Sequence, residues 1–401
     1  VNHSVFDVLI VGGGMAGASL AIALKNSQLK IGLIEAKSLK TDSQPSYDDR
    51  GIALSYGSQR IFETMGIWSQ IAQHASPIQH IHVSERGRFG VTRLSAEQEN
   101  VPALGQVITA RYLGQALNRQ LQQLDNLTLF CPRTVSTVVA ETEHVQVTLD
   151  NDDTLTAKLI VAADGRESTI RHCLKLGAWE QDYNQVAVTA NISTDKPHLG
   201  WAYERFTTSG PMALLPMTDK RSSLVWTVKG GEHKALLAMS EQEFLKQLQR
   251  EFGYRAGRFT RVGQRNSHPL ILMQADMPVQ PRIVFIGNAA HSLHPIAGQG
   301  FNLGLRDVAV LAEHLFNSKD SGDAELLKNY QDQRQQDQDQ VVKSTDQLVK
   351  LFSNDIPVLG HIRGAGLTFV DAMPVMKHWL ATKSMGLAQA QPKLARGVPL
   401  T

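Results

Sequence analysis

The stretch Gly12-Gly13-Gly14-Met15-Ala16-Gly17 constrains this chain more than any other, because of what flanks it. Val5 to Val11 precede it, a short apolar run rich in β-branched residues, as expected of a strand buried in a parallel sheet. An amphipathic stretch, ASLAIALKNS, follows, and then a second strand-like run, Lys30 to Glu35. In a strand–turn–helix–strand unit of this kind each glycine has a task. Gly12 makes the tight turn, Gly14 allows close approach of a pyrophosphate, and Gly17 lets helix and strand pack. The helix N-terminus adds unpaired N–H groups and a partial positive charge for the phosphates. Glu35 closes the second strand, where a carboxylate meets the adenosine ribose hydroxyls. A carboxylate there disfavours a 2′-phosphate, so the expected dinucleotide is FAD or NAD and not NADP.

Other function classes are excluded by the totals. At 401 residues the chain has room for two or three domains of roughly 150 residues. Net charge is 40 − 38 = +2 with no basic run, so there is no electrostatic footprint for nucleic acid. Cys131 and Cys173 form no CxxC pair, which fits a reducing, cytoplasmic setting and not a disulfide scaffold. The opening residues read as a strand and not as a signal peptide. No apolar run approaches the roughly 18 residues needed to span a bilayer. A soluble protein is expected, at most peripheral at the inner face of a membrane.

Between residues 38 and 177 the α/β texture continues. A polar loop, 38–49, leads to DDRGIAL, and Ser55 is placed to cap a helix carrying Ile61, Phe62 and Met65 on one face. Arg50 reads either as a ligand contact or as a surface arginine. Leu113, Leu117, Leu121 and Leu124 mark another helix, with Arg111 and Gln115 near its start. Strands are expected at 127–130, 134–140 and 144–149, and at Leu159 to Ala163, which runs into Asp164-Gly165. Asp-Gly at a strand's carboxyl end is a common turn, and also the place where ligands sit in open α/β sheets.

From 178 to 275 alternating runs (VAVTANIS, WAYERFTTSG, PMALLPM, SSLVWTV) separated by turn signals predict an antiparallel sheet, with one helix near 241–252. Arg282 to Ile286 then returns to buried-strand texture. It feeds Gly287-Asn288-Ala289-Ala290-His291, and after Pro295 the residues Gly298-Gln299-Gly300 open a helix to about Phe316. The Gln/Asp-rich segment 331–340 reads as a solvated helix face. His291 and His294 lack the further ligands of a metal pattern such as HExxH. Imidazole titrates near neutrality, so a general base is a second reading, and a histidine packed in the turn is a third.

GGGMAG with Glu35, ADGRES, and GNAAHSLHPIAGQGFNLGLRD, taken together, resemble the three motifs of the single-component FAD-dependent aromatic hydroxylases, those with the p-hydroxybenzoate hydroxylase fold. That resemblance spans residues 5 to about 310. It implies a Rossmann-like FAD-binding α/β domain interrupted by an α+β substrate domain with an antiparallel sheet, and a helical C-terminus. The limits expected are 1–75, 105–177 and 276–350 for the FAD domain, 76–104 and 178–275 for the substrate domain, and 351–401 for the helical segment. It further implies FAD held by Gly12, Gly14, Met15, Ala16, Gly17 and Glu35, with Arg50 and Arg111 along the cofactor. Asp164, Gly165, Gly287, Asn288, Gly298, Gln299, Gly300 and Asn302 complete the cradle, and NAD(P)H acts as transient reductant. Where the family usually has Gly-Asp, this chain has Gly287-Asn288, and Asn can still donate or accept a hydrogen bond to the ribityl chain.

DDRGIAL, the run from Glu204 to Pro216 and STDQLVKLF at 344–352 resemble the ubiquinone-biosynthesis branch. Asn288 and LGQV at 104–107 are most similar to its 2-polyprenyl-6-methoxyphenol hydroxylases. The implied reaction is ring hydroxylation of a lipophilic polyprenylphenol through a C4a-hydroperoxyflavin, within a biosynthetic protein assembly. A sister hydroxylase acting at another ring position is the first alternative. A non-oxygenating FAD oxidoreductase or scaffold of the same fold is the second. His291, His294 and Pro295 are the candidates for assisting catalysis, and the strand Met212 to Pro216 is the expected wall of the substrate site.

Overall fold

The computed structural model describes residues 4–38, 49–352 and 357–401, so most of the polar loop expected at 38–49 lies outside the described residues. Ser4–Val11 is the central strand of an eight-stranded sheet, parallel to Ile31–Ile34 on one side and to Thr154–Ala162 on the other. The register aligns Val11 with both Ile34 and Ala162. The glycine turn, Glu35 and Asp164 therefore emerge together at one edge, where parallel α/β sheets hold ligands. Helices Met15–Ala23, Ala110–Leu121 and Gln299–Leu315 bury one face of this sheet. The hairpin Val135–Ala140/Val145–Leu149 and the helix Thr169–Cys173 help to cover the other.

The second sheet is built on Ala178–Thr194, which pairs with Arg221–Lys229 and Asn266–Ala275. It runs on through Gly210–Pro216, Trp201–Thr207, His80–Glu85 and Val91–Ser95, antiparallel except where Trp201–Thr207 meets His80–Glu85. Strand alternation gives it two faces. Met212, Leu214, Leu224 and Trp226 pack with Phe244, Leu248 and Phe252 of the helix Glu241–Phe252. Ala213, Leu215 and Val225 point to the opposite side. Ser240 starts that helix with a reciprocal capping box to Glu243.

A three-stranded sheet, Gly51–Ser55, Gly105–Thr109 and Ala75–Ile78, joins the two lobes. Asn302 fastens it to the helix Gln299–Leu315: Ser55 N–H donates to Asn302 Oδ1 (2.8 Å) and Asn302 Nδ2 donates to Ala53 O (2.9 Å). Ser55 caps the helix Tyr56–Thr64 as expected, accepting from Ser58 N–H.

Ala324–Phe352 is one long helix, and it corrects the reading of 331–340 as a solvated face. Arg334, Asp337 and Gln338 are buried, while Asp332, Gln333, Gln335 and Gln336 are exposed. The helical period turns 334, 337, 338 and 341 inward, and a uniformly polar composition hides that stripe. Two further helices, Pro357–Ala372 and Pro374–Ser384, cross the second sheet's open side. Leu394, Ala395 and Leu400 then return to the core of the first lobe.

Candidate functional site

A cavity of about 1030 Å³ runs between the lobes. At one end it is lined by Gly12, Gly14, Met15, Ala16 and Glu35, with Asp164 and Gly165 across from them. Gly287, Asn288 and the helix start Gly298-Gln299-Gly300 form its middle, and the apolar face of the second sheet forms the far end. Three segments more than a hundred residues apart thus share one space.

The glycines show which part of that space is reserved for a ligand. A Cβ on Gly17 would stand 2.0 Å from Gly12 O, and one on Gly12 would stand 2.5 Å from Ala163 O, so both are demanded by packing of the protein itself. Gly12 also has φ +103°, a left-handed conformation that favours glycine. At Gly14, Gly165 and Gly300 an added Cβ would meet no protein atom within 4 Å. All three border the cavity; Gly165 is also held at φ +89°, which favours glycine by itself, so at Gly14 and Gly300 it is an occupant of the cavity that needs the bareness.

Glu35 is buried, and its carboxylate accepts from Gly13 N–H (2.6 Å) and Lys37 N–H (2.8 Å), which fixes it beside the turn with lone pairs left over. Asp164 has one carboxylate oxygen, Oδ1, buried without a protein partner, while Oδ2 accepts from Ile170 N–H (3.3 Å). Burial pushes its carboxyl up, against the pull of hydrogen bonds from Ser168 and neighbouring N–H groups. Bare glycines over a helix N-terminus, a carboxylate at the second strand and an orphaned polar oxygen fit a dinucleotide such as FAD. Gly298 starts the second helix at φ +60°, which aims the N-terminal end of Gln299–Leu315 at the middle of the cavity.

Among the sequence candidates, Arg50 lines the cavity. Arg111 does not: its guanidinium pairs with Asp49 (3.1 Å) on the half-exposed flank of its helix. Pro295 lines the cavity and both histidines lie behind its wall. His291 Nε2 meets Asp307 Oδ2 at 2.6 Å in a fully buried cluster. Asp307 also accepts from Gly287 N–H (3.3 Å), Arg334 Nε (2.8 Å) and Gln338 Nε2 (2.9 Å). Asp337 joins Arg334 to Arg306. Burial alone would raise the Asp307 carboxyl, but His291 and Arg334 outweigh it and hold the group well below the usual carboxylate range. This cluster clamps the Gly287 turn to two helices, and His291 is one of its jaws. His294 is fully buried, accepts from Ile296 N–H through Nδ1 (3.3 Å) and stands edge-on to Tyr183 (5.5 Å). Desolvation lowers its pKa to about 4, so it is neutral near pH 7.

Several lining residues escaped the sequence reading. Lys37 and Arg133 border the dinucleotide end. Leu348, Phe352, Leu367 and Leu380 close the far end from the C-terminal helices, where Phe352 stacks on Phe206 of the sheet (3.7 Å). Glu204 stands among them and had a readable signal. It lies between Ala202 and Phe206 on the inward face of an alternating strand. Among the described residues no group of three or more His, Cys, Asp or Glu is placed to hold a metal ion.

A dinucleotide cradle and an apolar chamber sharing one cavity, with a helix N-terminus between them, define the class of FAD-dependent aromatic-ring monooxygenases. The FAD binding domain family model matches residues 5–345, and the chain belongs to that family. It is 36% identical to the ubiquinone hydroxylase UbiL of Rhodospirillum rubrum over 99% of this chain and 94% of that protein. It is 30% identical to the 3-demethoxyubiquinol 3-hydroxylase of Escherichia coli over 95% of this chain and 98% of that one. Among solved structures, the p-nitrophenol 4-monooxygenase PnpA of Pseudomonas putida DLL-E4 superposes with a TM-score of 0.79 at 17% identity, covering 97% of this chain and 99% of that one. That last likeness is one of fold.

Proposed function

We propose that this protein hydroxylates the aromatic ring of a polyprenylphenol precursor of ubiquinone, using NAD(P)H and O2. The observation that carries the reading is the single cavity, whose polar end suits FAD and whose far end is walled by apolar side chains. The names of the relatives that match along nearly the whole chain support the choice of substrate. When bound, FAD would supply the redox chemistry, by which two electrons from NAD(P)H reduce O2 so that one oxygen atom goes to the ring and the other leaves as water.

The chain's own residues do the rest. Gly12, Gly14, Met15, Ala16 and Gly17 hold the pyrophosphate on the first helix N-terminus, and Glu35 holds the ribose. Asp164, Gly165, Arg50 and Asn288 would border the cofactor along its length, and Asn302 positions the strand Gly51–Ser55 that follows Arg50. The N–H groups at Gln299 and Gly300 stabilise negative charge that develops on the cofactor ring, as an oxyanion hole does. Ile81, Val83, Ala213, Leu215 and Val225 exclude water from the reacting ring. In this division 1–75, 105–177 and 276–350 serve the cofactor, 76–104 and 178–275 the substrate, and 351–401 the lid.

The lid also supports contact with a membrane surface, from which a prenylated substrate would be drawn. Leu367 and Leu380 face the cavity, while Ile362 (60%), Phe369 (57%), Val375 (78%) and Trp379 (59%) on the same two helices are exposed. Lys383 lies over the Trp379 ring (5.1 Å), the pairing of aromatic and cation found at lipid interfaces. Among the described residues no helix is long and apolar enough to cross a membrane. The reaction is tested by incubating FAD-loaded protein with NAD(P)H, O2 and short-chain 2-prenylphenols bearing different ring substituents. Hydroxylated product coupled to reductant consumption is expected. FAD-loaded protein that yields no product from any of them refutes the reading.

A further inference from the structure

We propose that Glu204 is the catalytic base that takes the phenolic proton of the substrate; this rests on the phenol reading above. Glu204 pairs directly with Ala213 of Gly210–Pro216, the strand against which the turn Ile296–Gly298 packs. Glu204 thus lies one strand spacing, about 5 Å, from the strand on which the turn after Pro295 packs. Among the described residues it is the one carboxylate that the antiparallel sheet presents to the cavity. The side chain is partly accessible, to the cavity, and makes no hydrogen bond or ion pair with the described residues. A carboxyl facing an apolar chamber without a partner among the described residues costs stability and has no structural reason to be there.

The surroundings define what it can do. Val83 and Ala213 flank it on the neighbouring strands, and Phe206 follows on its own face. Glu85, further along that face, is neutralised by Arg363 in a buried ion pair. The other titratable groups on the cavity are Glu35, Lys37, Arg50, Arg133 and Asp164 at the cofactor end, and Tyr203 and His268 on the sheet. None contributes to its titration, which burial alone pushes up to about 8. Such a carboxylate is a much better match for a phenol, whose pKa is about 10, than one in water near 4.3.

The step balances within the proposed reaction. The phenolic O–H bond breaks, its proton moves to a Glu204 carboxylate oxygen, and its electron pair enters the ring. The ring carbon ortho or para to the oxygen then gains the oxygen atom that O2 supplies, the other leaving as water with two electrons from NAD(P)H. Loss of the ring C–H proton restores aromaticity, and Glu204 returns its own proton to the phenolate oxygen. Because the base is the ionised form, the hydroxylation rate rises with pH through about 8.

Single-turnover hydroxylation is to be measured between pH 6 and 9.5 for the wild type, Glu204→Gln and Glu204→Asp, with H2O2 release, KM and FAD content followed in parallel. In Glu204→Gln the expectation is a fall of about 100- to 10,000-fold in product formation with KM nearly unchanged. Reductant consumption continues and ends in H2O2, and the rise through pH 8 is gone. A phenol bearing several ring fluorines, acidic enough to be ionised at neutral pH, recovers much of the loss. Glu204→Asp keeps the pH rise at a lower rate. A Glu204→Gln protein that hydroxylates as fast as wild type with the same pH profile overturns the proposal. If FAD-loaded wild type makes no product, the phenol reading has failed and this assignment falls with it.

Discussion

Replacing Asp307 with asparagine tests whether the buried cluster behind the cofactor turn holds the site together. The carboxylate offers two acceptor oxygens to Gly287 N–H, His291, Arg334 and Gln338. Asparagine offers one oxygen and one NH2. At the Oδ2 edge the NH2 would face Gly287 N–H, and at the Oδ1 edge it would face Arg334 Nε–H, donor against donor in either case. Arg334 keeps Asp337, so the loss is that of one partner of a buried ionic cluster, about 3–5 kcal/mol. With an unfolding entropy of roughly 2.1 cal/mol/K per residue over a chain of 401, that becomes about 4–6 °C in Tm. The native carboxyl titrates well below its unfolded value, so its stabilisation is fully present above about pH 4 and is lost only as pH falls through the native pKa. Thermal melts of wild type and Asp307→Asn from pH 8 down to pH 3, with FAD retention after gel filtration, are the assay. The gap should hold from pH 8 to 5 and close only in strong acid, and the variant should shed FAD more readily. Equal Tm values at pH 7 would refute the account of the clamp.

Gly14→Val should give a folded apoprotein with no bound FAD and the Tm of wild-type apoprotein, since an added Cβ there meets no protein atom; a yellow, fully loaded variant contradicts this. His294, whose native pKa lies about 4, stays neutral while the unfolded chain takes up a proton below about 6.5, so wild type loses about 2 kcal/mol between pH 7 and 5 at this site. His294→Gln should show a smaller drop in Tm over that interval, and an identical drop would remove the assignment. Liposome flotation at low salt should recover the wild type and lose Phe369→Ser/Trp379→Ser. Equal recovery speaks against the lid as a membrane surface. Point substitutions are needed because Leu394, Ala395 and Leu400 are core residues, and truncating the last helices would damage the first lobe.

The first cradle and the strand–helix order were legible because each rests on local rules: a glycine turn, a β-branched run and an apolar stripe. At the cavity's far end the strand Met212 to Pro216 was legible as a wall, through Ala213 and Leu215, but the helical side opposite was not. Leu367 and Leu380 reach it from helices whose other faces are equally apolar, so no periodicity marks the inward side. The two histidines illustrate the same limit. Nothing in HSLH says that Asp307, sixteen residues on, will hold His291, or that Arg334 from another helix will share that carboxylate. For Arg111, a helix start beside the cofactor strand gave position without direction, and Asp49 decides where the guanidinium goes. Glu204 differs, since alternation alone put a charge on the face shared by Ala202 and Phe206.

The return of Leu394, Ala395 and Leu400 to the first lobe carries a consequence for biogenesis. These residues join Val8 and Leu20 in one core, and Arg60 and Thr64 donate to the carbonyls of Arg396 and Leu394. The glycine turn is synthesised about 380 residues before Leu394, Ala395 and Leu400, so the core behind it lacks these side chains until that stretch joins it. A chain stopped before residue 394 would therefore lack part of the core on which the glycine turn rests.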